Sequence, residues 1–417
     1  MIFDLSHYAG HCACGETHRL STRAVLLEAG ATQKLSGLLD ELGLTAGGVV
    51  VCDRNTACFA DGVISVLGGR LLPSGAVTLD PDGLHADEKA TETLDSLLLP
   101  GVSFLLAVGS GTIHDITRYI AHRRRIPFVS YPTAASVDGF VSTVSAMTWY
   151  GFKKTMPGVA PVCVVADTDV FARAPYRLTA SGVSDVLGKY TALADWQIAH
   201  LVTGERVCPR IMAMSREAAD KVRENMRTLR AGGADAMEKL MFALLLSGIA
   251  MQMWGNSRPA SGAEHHLSHL WEMEVINRRT DAMHGEKVGV GLCKVIDCYR
   301  RLLFSEVHAV AQYDGLPHAR LRTSFGALYS AIAEENTPDI LCGVQLERLE
   351  AQLPAIRHHI AALPEPAVLS AEMAAAGCCT ELAQIGLPAD ILEDSLTFSP
   401  YVRSRMTLMR LRALLRG

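Results

Sequence analysis

A chain of 417 residues is longer than one hydrophobic core normally serves, so two domains are expected. With 49% apolar and 20% charged residues it is excluded from the disordered class, and a formal net charge of −5 excludes a nucleic-acid-binding surface, which needs clustered cations. No apolar run is expected to reach the roughly 20 residues of a membrane span, and the opening residues lack the basic start of a secretory signal, so a cytoplasmic protein is expected.

In chain order, His11-Cys12-Ala13-Cys14-Gly15-Glu16-Thr17-His18 comes first. Its cysteines and histidines could form a small zinc clip, but one residue separates the cysteines where two are usual, and an inert N-terminal loop is the expectation. The other cysteines lie mostly in apolar segments such as Val162-Cys163-Val164 and read as reduced, buried thiols. From about residue 28 to 170, amphipathic helical stretches alternate with short apolar runs, the rhythm of a parallel α/β domain. Strands are predicted at 48–52, 76–79, 103–108, 127–130 and 162–165, with helices at 31–42, 87–98 and 113–123. The cluster Arg123-Arg124-Arg125 reads as a solvated helix end. Beyond Pro175 the chain turns to long helix-forming runs, and no further strand is predicted. The expected division is a Rossmann-like domain over residues 1–172 and an all-helical domain over 173–417.

Two segments carry chemistry. The first is Gly109-Ser110-Gly111-Thr112-Ile113-His114-Asp115, where a strand, a glycine turn and a helix start would present backbone N–H groups to a phosphate. The third glycine of the dinucleotide fingerprint is missing, and a tight turn that needs positive φ explains the glycines almost as well. Asp53 ends an earlier strand, where a carboxylate could accept from a ribose, and Tyr131 to Ser142 forms a polar rim. The second segment is Ser257 to His269, followed by His284-Gly285-Glu286-Lys287. His265 and His269 stand one helical turn apart, His284 comes from another helix, and Asp185 offers a carboxylate from a third. Periodicity alone leaves open which of His265 and His266 would bind a metal.

Five motifs in register resemble one family: Gly109 to Asp115, Tyr131 to Gly139, Asp185 to Trp196, Ser257 to His269, and His284 to Lys287. They resemble the sn-glycerol-1-phosphate dehydrogenases, most closely their bacterial, AraM-like branch, within the superfamily of iron-containing alcohol dehydrogenases and dehydroquinate synthase. The resemblance implies a dehydroquinate synthase-like fold, with NAD or NADP and one divalent metal held in a cleft between a Rossmann-like and a helical domain. It makes Asp185, His265 and His284 the metal ligands. His269 joins them as a catalytic residue, and Asp138, Asp185 and His269 would contact substrate. Gly109, Ser110, Gly111, Thr112, Ile113, Asp115, Thr133, Ser136 and Ser142 would hold the dinucleotide, with Asp53 at its adenosine end.

The implied reaction is hydride transfer at C2 between dihydroxyacetone phosphate and sn-glycerol 1-phosphate. The alternatives are a glycerol or polyol dehydrogenase on the same scaffold, or, more distantly, a dehydroquinate synthase-like lyase. Zinc or nickel is implied, and ferrous iron also suits the donor set. Arg258, Lys189 and Lys287 are the cations expected to meet the substrate phosphate. A homodimer is expected, and residues from about 305 onward would either pack the helical domain or mediate that dimer.

Overall fold

Six strands form one parallel sheet: β1 (Ala24–Glu28), β2 (Gly48–Asp53), β3 (Leu71–Leu79), β4 (Phe104–Gly109), β5 (Phe128–Pro132) and β6 (Cys163–Asp167). Their spatial order is β1-β6-β5-β4-β2-β3. The computed structural model describes residues 3–310 and 313–416. Strand β4 is buried at every position, as a central parallel strand must be when helices cover both faces. Helices α1 (Leu35–Glu41), α2 (Ala57–Leu67), α3 (Glu88–Leu97) and α4 (Gly111–Arg124) supply that cover.

Alternation along β2 and β4 divides the core into two layers. Val50 and Leu106 pack with Leu35, Leu39, Val63 and Leu67 on one face. Val49, Val51 and Leu105 pack with Leu94, Ile116 and Ile120 on the other. Each such side chain contributes about 2 kcal/mol on burial.

Two strands of this sheet depart from the expectation. Strand β1 was not foreseen, because a five-residue edge strand leading directly into a helical stretch gives little period-two signal. Strand β3 begins at Leu71, ahead of the expected start. Pro73-Ser74-Gly75 interrupts its pattern, and there the backbone turns through Gly75 at φ 61° while the pairing register shifts between Gly48 and Val50.

The helices that follow are α5 (Tyr176–Leu187), α6 (Lys189–Thr203), α7 (Pro209–Leu229), α8 (Ala234–Trp254), α9 (Ala263–Glu272) and α10 (His284–Phe304), with shorter ones beyond. Chain contacts divide the molecule into two units. One comprises Met1–Tyr150, Lys154–Val183 and Glu224–Asn256, the other Gly151–Lys153, Ser184–Arg223 and Ser257–Gly417. Helix α8 belongs to the first unit, where Gln252 accepts from the Ser21 amide at 3.0 Å and donates to Thr22 Oγ1 at 2.7 Å. It is long and apolar enough to cross a membrane, and 83% of its most apolar window is buried. This departs from the expectation that no apolar run reaches that length: Asp235, Glu238 and Lys239 break the pattern in its first turns, and the residues that follow are apolar.

In the second unit the C-terminal residues pack inward. Asp195 accepts from the Leu408 amide at 2.8 Å and from Tyr299 Oη at 2.7 Å, and buried Arg410 pairs with Asp339 at 2.9 Å. Two residues, His308–Ala309, pair with Leu415–Arg416, a strand contact too short to leave a sequence pattern.

Candidate active site

In the second unit α9, α10 and the last turn of α5 converge because glycines let them. A Cβ at Gly291 of α10 would stand 2.7 Å from the carbonyl oxygen of Glu264 in α9. One at Gly289 would stand 2.7 Å from Ser184 Oγ in α5, and one at Gly188 would stand 3.0 Å from Val288 Cγ1. Helix starts are tied down by carboxylates: Glu264 accepts from the Gly262 amide at 2.7 Å, Asp195 from the Ala263 amide at 2.9 Å, and Glu286 from the Met283 amide at 2.7 Å. These acceptors satisfy N–H groups that a helix start cannot pair internally.

At the point of convergence, donor atoms of Asp185, His265 and His284 lie within 4.8 Å of one another. His265 Nε2 is 3.3 Å from Asp185 Oδ1, and the His265 and His284 rings are 5.3 Å apart. Each imidazole is fixed from behind. His265 Nδ1 donates to Glu264 Oε1 at 2.8 Å, and His284 Nδ1 donates to Glu272 Oε1 at 2.7 Å. A ring that donates through Nδ1 keeps its Nε2 lone pair for a cation. Thr191 Oγ1 donates to Glu264 Oε2 at 2.5 Å, and Lys153 pairs with Glu272 at 2.9 Å, so the orienting carboxylates are themselves held. Lys189 donates to the Asp185 carbonyl at 2.7 Å with its ammonium 3.6 Å from Oδ1.

Burial opposes ionisation of Asp185, but the Lys189 ammonium and the two imidazoles hold its carboxyl well below the usual range. Burial likewise works against a charged His265, yet Asp185 and Glu264 raise it to about 9. Glu264 and Glu272 are held low against their burial, the first chiefly by His265, the second by Lys153 and His284. Without a metal, the Asp185, Glu264 and Glu272 carboxylates face Lys189, Lys153 and a protonated His265, and a divalent ion would take the place of that proton on Nε2. The donors suit a divalent ion of borderline softness.

One turn on, His269 stacks on His284 with ring centres 5.7 Å apart, and its buried Nδ1 has no hydrogen-bond partner among the described residues. Burial and the nearby Arg403 charge push its pKa well below 6.5. His269, Glu272 and His284 form a second grouping within 4.8 Å. His266 enters neither grouping. It is buried with both ring nitrogens unpartnered among the described residues, and burial, with the charges of Arg405, Arg403 and Arg258, keeps it neutral.

Two of the expected phosphate cations are occupied elsewhere. Lys189 serves Asp185, and Arg258 pairs with Glu205 at 2.8 Å while donating to the Met406 carbonyl at 2.9 Å. Lys287 remains: it is largely buried, burial lowers its pKa, and its ammonium has no hydrogen bond or ion pair among the described residues. Arg403 joins it, with a buried Nη2 that has no partner among the described residues.

The first unit holds the other candidates. Gly109 closes β4, Ser110 caps α4, and Gly111, Thr112 and Ile113 begin it, so their amides lack intrahelical acceptors. Neither glycine has positive φ. They are needed for close approach, since a Cβ at Gly109 would meet Ile113 Cβ at 2.7 Å and one at Gly111 would meet Val137 Cγ2 at 3.0 Å. The Thr133 amide donates to the Gly109 carbonyl at 3.0 Å, which sets the 133–137 segment beside the loop. Thr133, Ser136, Asp138 and Ser142 are all buried, and Ser136 Oγ has no partner among the described residues.

Several of these residues also hold their own backbone in shape. Asp53 accepts from the Thr56 amide at 2.9 Å, Asp115 pairs with Arg118 at 2.7 Å, and Ser142 Oγ donates to the Val144 carbonyl at 3.0 Å. Arg118 in turn donates to the Gly139 carbonyl at 2.6 Å, anchoring the turn that carries Asp138. Asp138 Oδ2 accepts from Ser247 Oγ at 2.8 Å.

Residues 26–175 match the family described as iron-containing alcohol dehydrogenase. Over 407 residues, 96% of this chain and 95% of the relative, the sequence is 32% identical to glycerol-1-phosphate dehydrogenase (NAD(P)+) of Geobacillus stearothermophilus. The chain belongs to the glycerol-1-phosphate dehydrogenase family. The protein of that name from Bacillus subtilis (strain 168) is 34% identical over 87% of this chain and 84% of its own. The fold is that of the iron-containing alcohol dehydrogenase of Thermotoga maritima, with a TM-score of 0.61 at 14% identity over 95% of this chain and 99% of that one. NAD(P) and a divalent metal are consistent with membership of this oxidoreductase family.

Within this glycerol-1-phosphate dehydrogenase-family chain, the sequence motifs pointed to the imidazoles but not to what orients them. Glu264 lies within the Ser257 to His269 segment, and a carboxylate beside a candidate ligand is a signal that could have found it. Glu272 and Ser247 had no local signal, because their partners Lys153 and Asp138 lie more than 100 residues away.

Proposed function

We propose that this chain is a metal-dependent NAD(P) oxidoreductase that interconverts dihydroxyacetone phosphate and sn-glycerol 1-phosphate by hydride transfer at C2. The observation that carries the reading is the convergence of Asp185, His265 and His284, with both imidazoles fixed at Nδ1 by carboxylates. The relatives' names point to the same substrate.

Asp185, His265 and His284 would hold one divalent ion, zinc or nickel, with ferrous iron also suited. Bound there, the ion would supply Lewis acidity for a carbonyl that gains negative charge on reduction. NAD(P)H supplies the hydride. His269, neutral and with a free Nδ1, exchanges the proton with the substrate oxygen. Lys287 and Arg403 take the substrate phosphate, in place of Arg258 and Lys189. Asp138, positioned by Ser247, binds a substrate hydroxyl.

The amides of Gly111, Thr112 and Ile113 receive the dinucleotide pyrophosphate, flanked by Thr133, Ser136 and Ser142. Asp53 meets the adenosine ribose. Arg54, the residue that could have favoured a 2′-phosphate, is paired with Asp80, which favours NAD over NADP.

Elemental analysis combined with NADH oxidation tests the proposal. Dihydroxyacetone phosphate should be reduced by the metal-loaded enzyme, chelation should abolish the rate, and unphosphorylated dihydroxyacetone should be a poor substrate. Equal turnover of both ketones, or full activity after exhaustive chelation, contradicts it.

A further inference from the structure

The segment expected to be an inert N-terminal loop is instead a folded hairpin. Gly10–His11 pairs with Thr17–His18, in register Gly10 with His18 and His11 with Thr17. Between them the chain turns tightly: the Cys12 amide donates to the Glu16 carbonyl at 2.8 Å, the Gly15 amide donates to the Cys12 carbonyl at 2.9 Å, and Gly15 adopts φ 88°, which only glycine enters without strain. The turn brings Cys12, Cys14 and His18 together, with their donor atoms within 4.8 Å of one another. Cys12 and His18 are buried, 6% and 2% exposed.

Two distances suit a metal. Cys14 Sγ and His18 Nε2 are 3.5 Å apart. Zinc bonds of about 2.3 Å to sulfur and about 2.05 Å to nitrogen at a tetrahedral angle give a ligand-to-ligand edge of about 3.6 Å. His18 Nδ1 donates to the Met253 carbonyl at 2.9 Å, within the last turn of α8. That bond fixes the tautomer and leaves Nε2 as the lone-pair nitrogen on the sulfur side, the outer-shell arrangement that orients metal-binding imidazoles.

We propose that Cys12, Cys14 and His18 bind a structural zinc ion that clips the N-terminal hairpin to the end of α8. Binding converts both thiols to thiolates and releases their two protons to solvent, with no change of oxidation state. The fourth coordination position takes one further donor. The site uses no residue of the Asp185, His265 and His284 group, so its occupancy and the reductase activity are separately measurable.

Cobalt substitution of the full chain tests the inference, because only a thiolate-bound cobalt ion gives intense sulfur-to-metal charge transfer in the near ultraviolet. The wild-type protein should show that band and hold one more equivalent of metal than Cys12→Ser/Cys14→Ser. The double variant should lose the band while keeping the metal bound by Asp185, His265 and His284. As a check independent of folding in the variant, zinc should protect two thiols of the wild-type protein from a thiol reagent, and a chelator should expose them. Absence of the band with equal metal content in both proteins, two thiols equally reactive with and without zinc, or a Cys12–Cys14 disulfide in the purified protein overturns the proposal.

Discussion

The glycine loop of the first unit is made of backbone, and the histidine group of the second is made of side chains. At Gly109 and Gly111 the chemistry lies in amides that any helix start exposes, and the side chains matter by being absent. At Asp185, His265 and His284 the backbone only delivers the groups, while Glu264, Glu272 and Lys189 set their directions and charge. A backbone site should therefore tolerate loss of a neighbouring polar group and resist only added bulk. A side-chain site should respond to each orienting residue in turn.

The largest expected effect is loss of a ligand. Asp185→Asn or His284→Ala should lower kcat on the order of 10³-fold, since a Lewis acid contributes several kcal/mol to the transition state. Metal content and activity measured on the same preparations check this, and a variant that keeps both breaks the comparison.

Removing an orienting carboxylate should matter less. Glu264→Gln and Glu272→Gln should each weaken metal affinity or activity about 10- to 100-fold, a loss that competition with a chelator of known affinity would read. In the first unit, Asp115→Asn should lower the rate less, because Asp115 pairs with Arg118 while the site beside it is made of backbone amides.

Lys287→Ala and Arg403→Ala should each raise KM for dihydroxyacetone phosphate about 10- to 100-fold, the loss of one charged hydrogen bond. KM for NADH, and for unphosphorylated dihydroxyacetone, should stay as they were. Steady-state kinetics on both ketones separates this from a general loss of fold.

Added bulk should also divide the units. Gly291→Ala forces α10 away from α9 and should cost about 1–3 kcal/mol of stability together with metal affinity. Gly111→Ala meets a more yielding contact with Val137 Cγ2 and should chiefly raise KM for NADH. Denaturation midpoints and KM values for the two variants test the contrast.

The smallest effect at neutral pH, where it vanishes, is a pH dependence seated in the first unit. Burial lowers His114 to about 3, where it bridges the Ser110 carbonyl at 2.9 Å and Ser130 Oγ at 2.8 Å. The unfolded chain binds this proton more readily, so the stability contribution is complete above pH 6.5 and is lost as pH falls from 6.5 towards 3. His114→Gln should flatten the dependence of the denaturation midpoint across that window.

The same contrast explains what could be read in the sequence. Strand β4 and the loop after it are a local pattern, with an apolar run, two glycines and a helix start within a few residues. The fold class followed from the alternation of such units. Strand β1 was invisible because Ala24 to Glu28 owe their extended form to pairing with β6, more than 130 residues away. The imidazoles of α9 and α10 were legible as residue types at helical spacing, but the choice between His265 and His266 was not. It depends on the rotation of α9 against Gly291 and on the bond to Glu264, neither of which periodicity encodes. Arg258 looked like a free cation because its partner, Glu205, is found only in three dimensions, whereas Lys189 follows Asp185 at an i,i+4 spacing that could have been read locally. Arg403 was hidden for the converse reason, sitting in a basic C-terminal run that gave no hint of burial.

The most direct measurement is anomalous diffraction from crystals grown with zinc or nickel. One ion should appear bonded to a carboxylate oxygen of Asp185 and to Nε2 of His265 and His284, with Glu264 and Glu272 still holding the two Nδ1 atoms. Density that places the ion on other donors, or three side chains that turn away from a common centre when metal is supplied, would contradict the account.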